Sequence, residues 1–489
     1  MSEVRDVDVV VVGAGISGVD AAYHLRRDCP ERTFVVLDAL ESFGGTWLTH
    51  RYPGVRSDTD LYTFGYSFKP WTGDPIASGE RIREYLREVI DENDLARHVR
   101  FQRRVESASW SSAENRWTLR VRDLTSGDVE TYRCEFLWMC QGYYRHDQGY
   151  TPDWPGLDTF EGRVVHPQQW PEDLDLTDQE VVVVGSGATA ATLVPAIAER
   201  CAHVTMIQRS PTYFFSGENR DELADQLRAL EVDEAWVHEI VRRNRLAQLK
   251  MLTDVALSEP DFAAQELINL VRAELPEGFD VDTHFTPRYR PWQQRIAYVP
   301  DGDLFKAISS GRASVVTDEI AAITPHGVRL ASGDEQRADV LITATGFELS
   351  VLGDVHFTID GEVLNLAKRV TYRGMMFSGV PNLCWIFGYF RAAWTLRADL
   401  VCDYVGRLLN YMRDHNLHRV VPTLRDEDLA ETPLAWIGDE EFNPSYLKRS
   451  LHLMPQRLAK PEWGHTQDYW YERDVFPTLS PEDDCLVYD

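Results

Sequence analysis

Val7-Asp8-Val9-Val10-Val11-Val12-Gly13-Ala14-Gly15-Ile16-Ser17-Gly18, running on to Phe34-Val35-Val36-Leu37-Asp38, decides the fold. The first run is almost continuously apolar, as a parallel strand covered on both faces must be. A glycine turn and a helical stretch follow, and then a second apolar strand. Gly13 permits the tight turn, Gly15 lets a pyrophosphate approach the backbone, and Gly18 lets the helix pack on the strand. The helix N-terminus then presents unpaired N–H groups to the phosphates. Asp38 ends the second strand about 20 residues after the last glycine, where a carboxylate accepts hydrogen bonds from ribose hydroxyls. A lone Gly-x-Gly-x-x-Gly is a weak signal; both flanking strands and the acid make this one specific.

Working outward, the pattern recurs. Val181–Val184 leads into Gly185-Ser186-Gly187-Ala188-Thr189-Ala190, with Ala190 in the place of the third glycine. The next strand ends in Gln208-Arg209-Ser210, with no acid. An acid there would repel a 2′-phosphate, whereas an arginine grips one bidentately. The first unit is therefore expected to take FAD and the second NADPH, with Arg209 and Ser210 at its phosphate. Two such units in one chain imply electron flow from nicotinamide to flavin.

Between and beyond these units the chain alternates. Ile82, Tyr85, Leu86, Val89 and Ile90 repeat at helical spacing. Runs at 99–110, 115–122 and 131–140 read as an antiparallel meander, and Pro152 and Pro155 mark a connector. Residues 220–275 carry helical patterning. Strands are expected at 314–317, 339–344 and 382–388, and a helix at 395–413. The acidic tail after Ser480 is expected to be disordered. The fold class is α/β, with two Rossmann-like dinucleotide-binding domains and a helical insertion in the second. The expected boundaries are 1–148 with 376–489 for the FAD domain, 149–219 with 290–375 for the NADP domain, and 220–289 for the insertion.

Composition narrows the function. Asp and Glu number 78 against 50 Lys and Arg, a net charge of −28. That argues against nucleic acid and against an anionic membrane surface, both of which require clustered cations. The 14 tryptophans read as core packing. Cys29, Cys134, Cys140, Cys201, Cys384, Cys402 and Cys485 form no Cys-x-x-Cys pair and no metal-ligand cluster. Disulfide reductases share the two-nucleotide plan but need a redox cysteine pair, so an oxygenase remains, and no metal is expected. Free thiols and the absence of a signal-like or transmembrane-length apolar run point to a cytoplasmic protein.

The most specific stretch lies between the two units: Phe160-x-Gly162-x-x-x-His166-x-x-x-Trp170-Pro171. By itself it reads as a connector with a glycine hinge and three large rings. As a pattern it resembles the signature of Baeyer–Villiger flavoprotein monooxygenases. N-hydroxylating and flavin-containing monooxygenases resemble it too, but tend to carry another aromatic in place of Trp170. Gly44-Gly45-Thr46-Trp47, Arg51–Asp58, Cys140-Gln141-Gly142-Tyr143-Tyr144, Ala344-Thr345-Gly346-Phe347 and Ala393-Trp394-Thr395-Leu396 extend the likeness. From residue 7 to about 455 the chain is similar to the ethionamide-activating subgroup; the last thirty residues match poorly.

The resemblance implies roles residue by residue. Ser17, Asp38, Gly45, Thr46, Trp47, Asp58, the Val105 backbone and Trp394 would surround FAD. Ser186, Thr189, Arg209 and Ser210 would contact NADP+. Arg295 would be the active-site arginine, oriented by Asp58, with Arg288 and Arg290 as nearby rivals, and His166 would act from the linker. Asp38 replaces the family's glutamate with a shorter arm. The implied reaction takes a ketone and O2 to an ester or lactone through a peroxide on the flavin C4a, and also oxidises sulfur in sulfides or thioamides. The alternatives are an N- or S-oxygenating flavin-containing monooxygenase and, from another class, a non-catalytic NADPH-binding sensor.

Overall fold

The computed structural model describes residues 4–489; the first three residues of the expected first unit lie outside it. β1 (Val4–Val12), α1 (Ile16–Asp28) and β2 (Phe34–Leu37) form the strand–helix–strand unit, with β1 and β2 parallel from Val9–Phe34 to Val12–Leu37. Both faces of β1 are covered. Val9 and Val11 enter a core shared with the helices, while Val10 and Val12 enter a second core on the opposite side. That is why the strand carries no polar alternation.

The meander comprises β3 (Arg103–Ser111), β4 (Arg116–Asp123) and β5 (Val129–Met139), antiparallel in sequence order. It is not a separate sheet. β5 also runs parallel to β1 from Val4–Thr131 to Val12–Met139, which fuses everything into one nine-stranded sheet. The expected run 99–110 breaks at Gln102, whose φ is +54°. Its first two residues pair with β2 instead. His356–Ile359 adds to the outer edge of β3. The return to the first unit, expected at 376, therefore comes by 356. Phe357 sits edge-on to Trp117 at 6.0 Å; long-range pairing of this kind leaves no local pattern. Trp71, Trp110, Trp117, Trp138, Trp385, Trp436 and Trp463 are fully buried, as core packing requires.

The second unit holds β6 (Glu180–Val184), α2 (Ala188–Ala198) and β7 (His203–Gln208). Its five-stranded sheet is all parallel, in the order Ala313–Thr317, β7, β6, Val340–Thr343, Arg163–Val165. The signature stretch thus supplies an edge strand as well as a connection. Tyr144–Gly149 and Phe347–Leu349, the outgoing and returning segments, pair antiparallel and tie the two units together.

Residues 222–274 form three successive helices, as the periodicity predicts, and a short fourth follows at Val281–His284. The longest helix is α3 (Glu234–Ser258). These helices do not belong to the second unit alone: Val237 and Val241 of α3 enter the helix-side core of the first unit, whereas Ile268 and Val271 enter the core of the second unit. Buried Arg242 of α3 donates to the carbonyls of Tyr62, Thr63 and Gly65 at 2.8, 3.3 and 2.9 Å. These are unpaired acceptors at the end of a short helix. α4 (Trp394–Asp414) packs along α1.

The acidic tail departs from expectation. Leu486–Tyr488 pairs antiparallel with Val420–Pro422, and Arg419 grips the Asp489 carboxylate through two hydrogen bonds of 2.6 Å. Buried Cys485 and Leu486 anchor it; two apolar side chains and an ion pair outweigh the composition of the segment. Among the described residues no helix is long and apolar enough to cross a membrane.

Candidate active site

Both glycine loops open onto one cavity of about 1720 Å³ between the two units. A single small-ligand pocket is typically about 300–1,000 Å³, so this one has room for more than one bound molecule.

At the first loop Gly13 has φ +105°, and a Cβ there would lie 2.6 Å from the Cys140 carbonyl oxygen. At Gly18 a Cβ would lie 1.8 Å from the Gly13 carbonyl oxygen, so helix and loop meet backbone to backbone. A Cβ on Gly15 would stand 3.5 Å from Gly45 Cα, so the two glycines face each other across the loop. α1 has no capping side chain and no acid in its first turn, which leaves its N–H groups for an anion. Ser17, Thr46, Trp47 and Val105 line the adjoining wall. Trp394 donates through its indole N–H to Ser17 Oγ at 2.7 Å, joining the first turns of α4 and α1. Asp38 is buried at the rim and accepts from the Ala14 and Leu40 N–H groups at 2.5 and 2.7 Å. Burial pushes its pKa up against those two donors. The shorter arm thus holds the carboxylate on the glycine loop itself.

At the second loop a Cβ on Gly185 would meet the Ala344 carbonyl oxygen at 2.3 Å, while Gly187 has open space before it. α2 likewise lacks a capping side chain and a first-turn acid. Ser186 hydrogen-bonds Thr212 at 3.0 Å, and Thr189 lines the cavity. Among the described residues exposed Arg209 reaches only Ser445 Oγ, at 3.4 Å. The cavity wall there also includes Ser210, Lys448 and Arg449. Arg449 lies over the Tyr150 ring at 3.5 Å. Burial, together with the charge of Arg209, lowers its pKa. Sequence reading missed these C-terminal cations, which lie far along the chain in an irregular segment. It also missed Asp318 and Glu319, which the neighbouring strand end brings to the same wall. Asp318 is engaged by the N–H groups of Glu319 and Ser332.

The last small residue of each motif stands behind its loop. Gly18 and Ala190 do not line the cavity; Ala190 is wholly buried in the core of the second unit. Their work is close helix–strand packing.

Between the loops, Arg295 makes a two-pronged ion pair with Asp58, Nε to Oδ2 at 2.5 Å and Nη2 to Oδ1 at 2.8 Å. Nη2 also donates to Thr59 Oγ1 at 3.1 Å. The remaining surface of Arg295 faces the cavity. Burial works against its charge, but the Asp58 carboxylate outweighs it and holds the pKa above the ordinary arginine value. Of the three candidate arginines Arg295 alone lines the cavity. Arg288 is exposed, and Arg290 donates to the Glu440 carbonyl. Tyr143 and Tyr446 stand beside Arg295. Burial raises the pKa of both phenols, so they remain proton donors. Tyr143 stacks on Trp394 at 5.4 Å.

His166 does not line the cavity. Its Nδ1 accepts the Gln168 N–H at 3.2 Å and its Nε2 lies 3.3 Å from the Gly346 carbonyl oxygen. Its ring fills the space over Gly149, where a Cβ would come within 1.9 Å. It therefore pins the paired segments that cross between the units.

Two glycine loops, each at a helix N-terminus and both facing one cavity, define an oxidoreductase built to bring two dinucleotides together. Residues 7–268 match the pyridine nucleotide-disulphide oxidoreductase family, and the chain belongs to it. The seven cysteines are all unpaired and buried. Within that class the chain is 45% identical over 465 residues to the FAD-containing monooxygenase EthA of Mycobacterium tuberculosis, covering 95% of this chain and 94% of the relative. It is 40% identical over 487 residues to the probable FAD-binding monooxygenase AlmA of Acinetobacter baylyi, covering 99% and 96%. The chain belongs to this family of FAD-containing monooxygenases. Its fold matches an oxidized steroid monooxygenase bound to NADP, with TM-score 0.76, 23% identity and 99% of each chain covered. It also matches an ε-caprolactone-bound cyclohexanone monooxygenase, with TM-score 0.77, 22% identity and coverage of 99% of this chain and 100% of the other.

Proposed function

We propose that this chain is an NADPH-consuming Baeyer–Villiger monooxygenase that converts ketones to esters or lactones and oxidises sulfur in sulfides or thioamides at the same site. The observation that carries the reading is the Asp58–Arg295 pair in the wall of the cavity onto which both glycine loops open. Bound FAD, reduced by NADPH, would supply the activated oxygen atom from O2.

The protein's part is binding, orientation and charge. Gly13, Gly15, Ser17 and the first turn of α1 hold FAD's pyrophosphate, with Asp38 at its ribose, Gly45, Thr46, Trp47 and the Val105 backbone along its length, and Trp394 acting through Ser17. Gly185, Ser186, Gly187 and Thr189 hold the NADPH pyrophosphate, with Arg209 and Ser210 at its 2′-phosphate. Both helix N-termini free of caps and acids support these assignments. Arg295 cannot release its proton at working pH. Held by Asp58, it places a fixed positive charge where negative charge develops on oxygen during attack on a carbonyl. The Tyr143 and Tyr446 phenols beside it are donors for the substrate carbonyl. Seven buried free thiols fit a reducing cytoplasm.

The test is product analysis. With a panel of ketones, sulfides and tertiary amines, NADPH and O2, mass spectrometry should detect esters or lactones carrying one added oxygen atom. Amine N-oxides without ester would sink the proposal in favour of an N-oxygenating enzyme, and a colourless protein that consumes no NADPH would favour a sensor.

A further inference from the structure

The inner face of α1 carries a group of side chains that the oxygenase reading does not use. Asp20 and His24 stand one turn apart, and Asp399 of α4 comes up against them; one ligand-capable atom from each lies within 4.8 Å of the others. The Asp20 side chain is 0% exposed, and among the described residues neither of its oxygens has a hydrogen-bond partner. Asp399 Oδ1 is also buried and unpartnered, while Oδ2 accepts the Ser67 N–H at 3.1 Å. The nearest cations are committed elsewhere. Arg27 holds Asp28 at 2.6 and 2.7 Å, and Arg242 spends Nη1 on three carbonyls, leaving Nη2 at 3.9 Å from Asp399. Burial, and then the charge of Asp399, push the Asp20 pKa well up. Two carboxylates placed like this need either a shared proton or a cation between them.

The imidazole offers a third donor. His24 Nε2 is 3.6 Å from Asp20 Oδ1, too far for a hydrogen bond, while its Nδ1 is 3.0 Å from Asp28 Oδ2. Arg27 Nη2 also approaches Nδ1, at 3.1 Å, but has Asp28 Oδ2 as its nearer acceptor at 2.7 Å. With the proton on Nδ1 donated to Asp28, the Nε2 lone pair points toward the carboxylates. A carboxylate behind the imidazole of a metal ligand is the usual outer support. Two ligands each about 2.0–2.1 Å from a tetrahedral ion stand about 3.3–3.5 Å apart, close to the 3.6 Å between His24 Nε2 and Asp20 Oδ1. We propose that Asp20, His24 and Asp399 form a site for a divalent transition-metal cation of the zinc type, bound by His24 Nε2 and one oxygen from each aspartate. The buried Cys402 thiol adjoins Asp20 as a further ligand type. The ion clamps α1 to α4, the two helices whose first turns meet at Ser17 and Trp394 beside the first glycine loop.

The test uses the yellow holoprotein, stripped with a chelator and dialysed against Zn2+ or Co2+. Elemental analysis should find one ion per chain, Zn2+ should raise the melting temperature, and Co2+ should give the visible bands of a tetrahedral site. Asp20→Asn and His24→Gln should each weaken Zn2+ binding at least tenfold with flavin retained, and Cys485→Ser should leave one ion bound. Wild-type protein that takes up no ion at micromolar Zn2+ overturns the proposal and assigns the aspartate pair a shared proton. Binding that survives Asp20→Asn but is lost in Cys485→Ser overturns it too, placing the ion at Asp483, Asp484 and Cys485.

Discussion

Arg295 and Asp58 are 237 residues apart in sequence and meet through two hydrogen bonds. On the proposed chemistry the arginine's charge acts at the oxygen-transfer step and not in holding either pyrophosphate. Arg295→Ala should therefore keep bound flavin and still oxidise NADPH, while ester formation falls below detection and the consumed NADPH appears as H2O2. Ketone oxygenation by the variant at near wild-type rate and coupling would remove Arg295 from the mechanism. Arg209 makes a different kind of contact. Its only partner among the described residues, Ser445, is at 3.4 Å, so it is available to a phosphate. Losing one charge-assisted contact of about 1.5–3 kcal/mol should raise the KM for NADPH roughly ten- to a hundredfold in Arg209→Ala. The KM for NADH should hardly move. A wild-type enzyme that prefers NADH would refute the assignment of the second loop.

At the scale of elements, what matters is how closely a helix or strand approaches its neighbour. α1 meets its own glycine loop where a Cβ on Gly18 would lie 1.8 Å from a carbonyl oxygen. Gly18→Ala must push α1 away from β1, so the variant should purify without flavin or not fold. A normal flavin-to-protein ratio would show that the helix can shift. The crossing between the units depends instead on His166, which packs on Gly149 and faces the Gly346 carbonyl. His166→Ala loosens that joint without touching the cavity wall. Flavin content should stay normal while kcat falls, as expected where two units must move around a bound nucleotide. Flavin loss in this variant would make His166 a folding residue only.

For the whole molecule the distinctive charge effect is acid lability from buried histidines. Burial pushes His50 and His238 down to about 4 and His465 to about 3. Each is neutral in the folded chain at neutral pH. Unfolded, each takes up a proton as pH falls through about 6.5. The unfolded chain then binds protons that the folded chain refuses, so stability is lost from about pH 6.5 downward until the folded-state values are reached. Near pH 5.5 the three together should cost on the order of 4 kcal/mol, at about 1.4 kcal/mol per histidine per pH unit. The melting temperature should fall clearly between about pH 7.5 and 5.5, and His465→Gln should reduce that fall. Equal melting temperatures at the two pH values would contradict the assignment.

The sequence by itself determined the two strand–glycine–helix units, because local physics specifies them: apolar strands, loops in which a Cβ has no room, and helix starts without caps. It also determined the long helix 394–414 and the helical stretch before 285, through their periodicity. Only the tertiary structure decided which residues share the cavity. It chose Arg295 over Arg288 and Arg290, brought Tyr446, Lys448 and Arg449 to its wall, and withdrew His166, Gly18 and Ala190 from it. It also joined His356–Ile359 to the first sheet and ordered the acidic tail. The reason is the same in each case. A pattern repeating over a few residues reports which face of an element is buried, but not what buries it. Contacts between segments hundreds of residues apart are chosen by the packing of the whole chain.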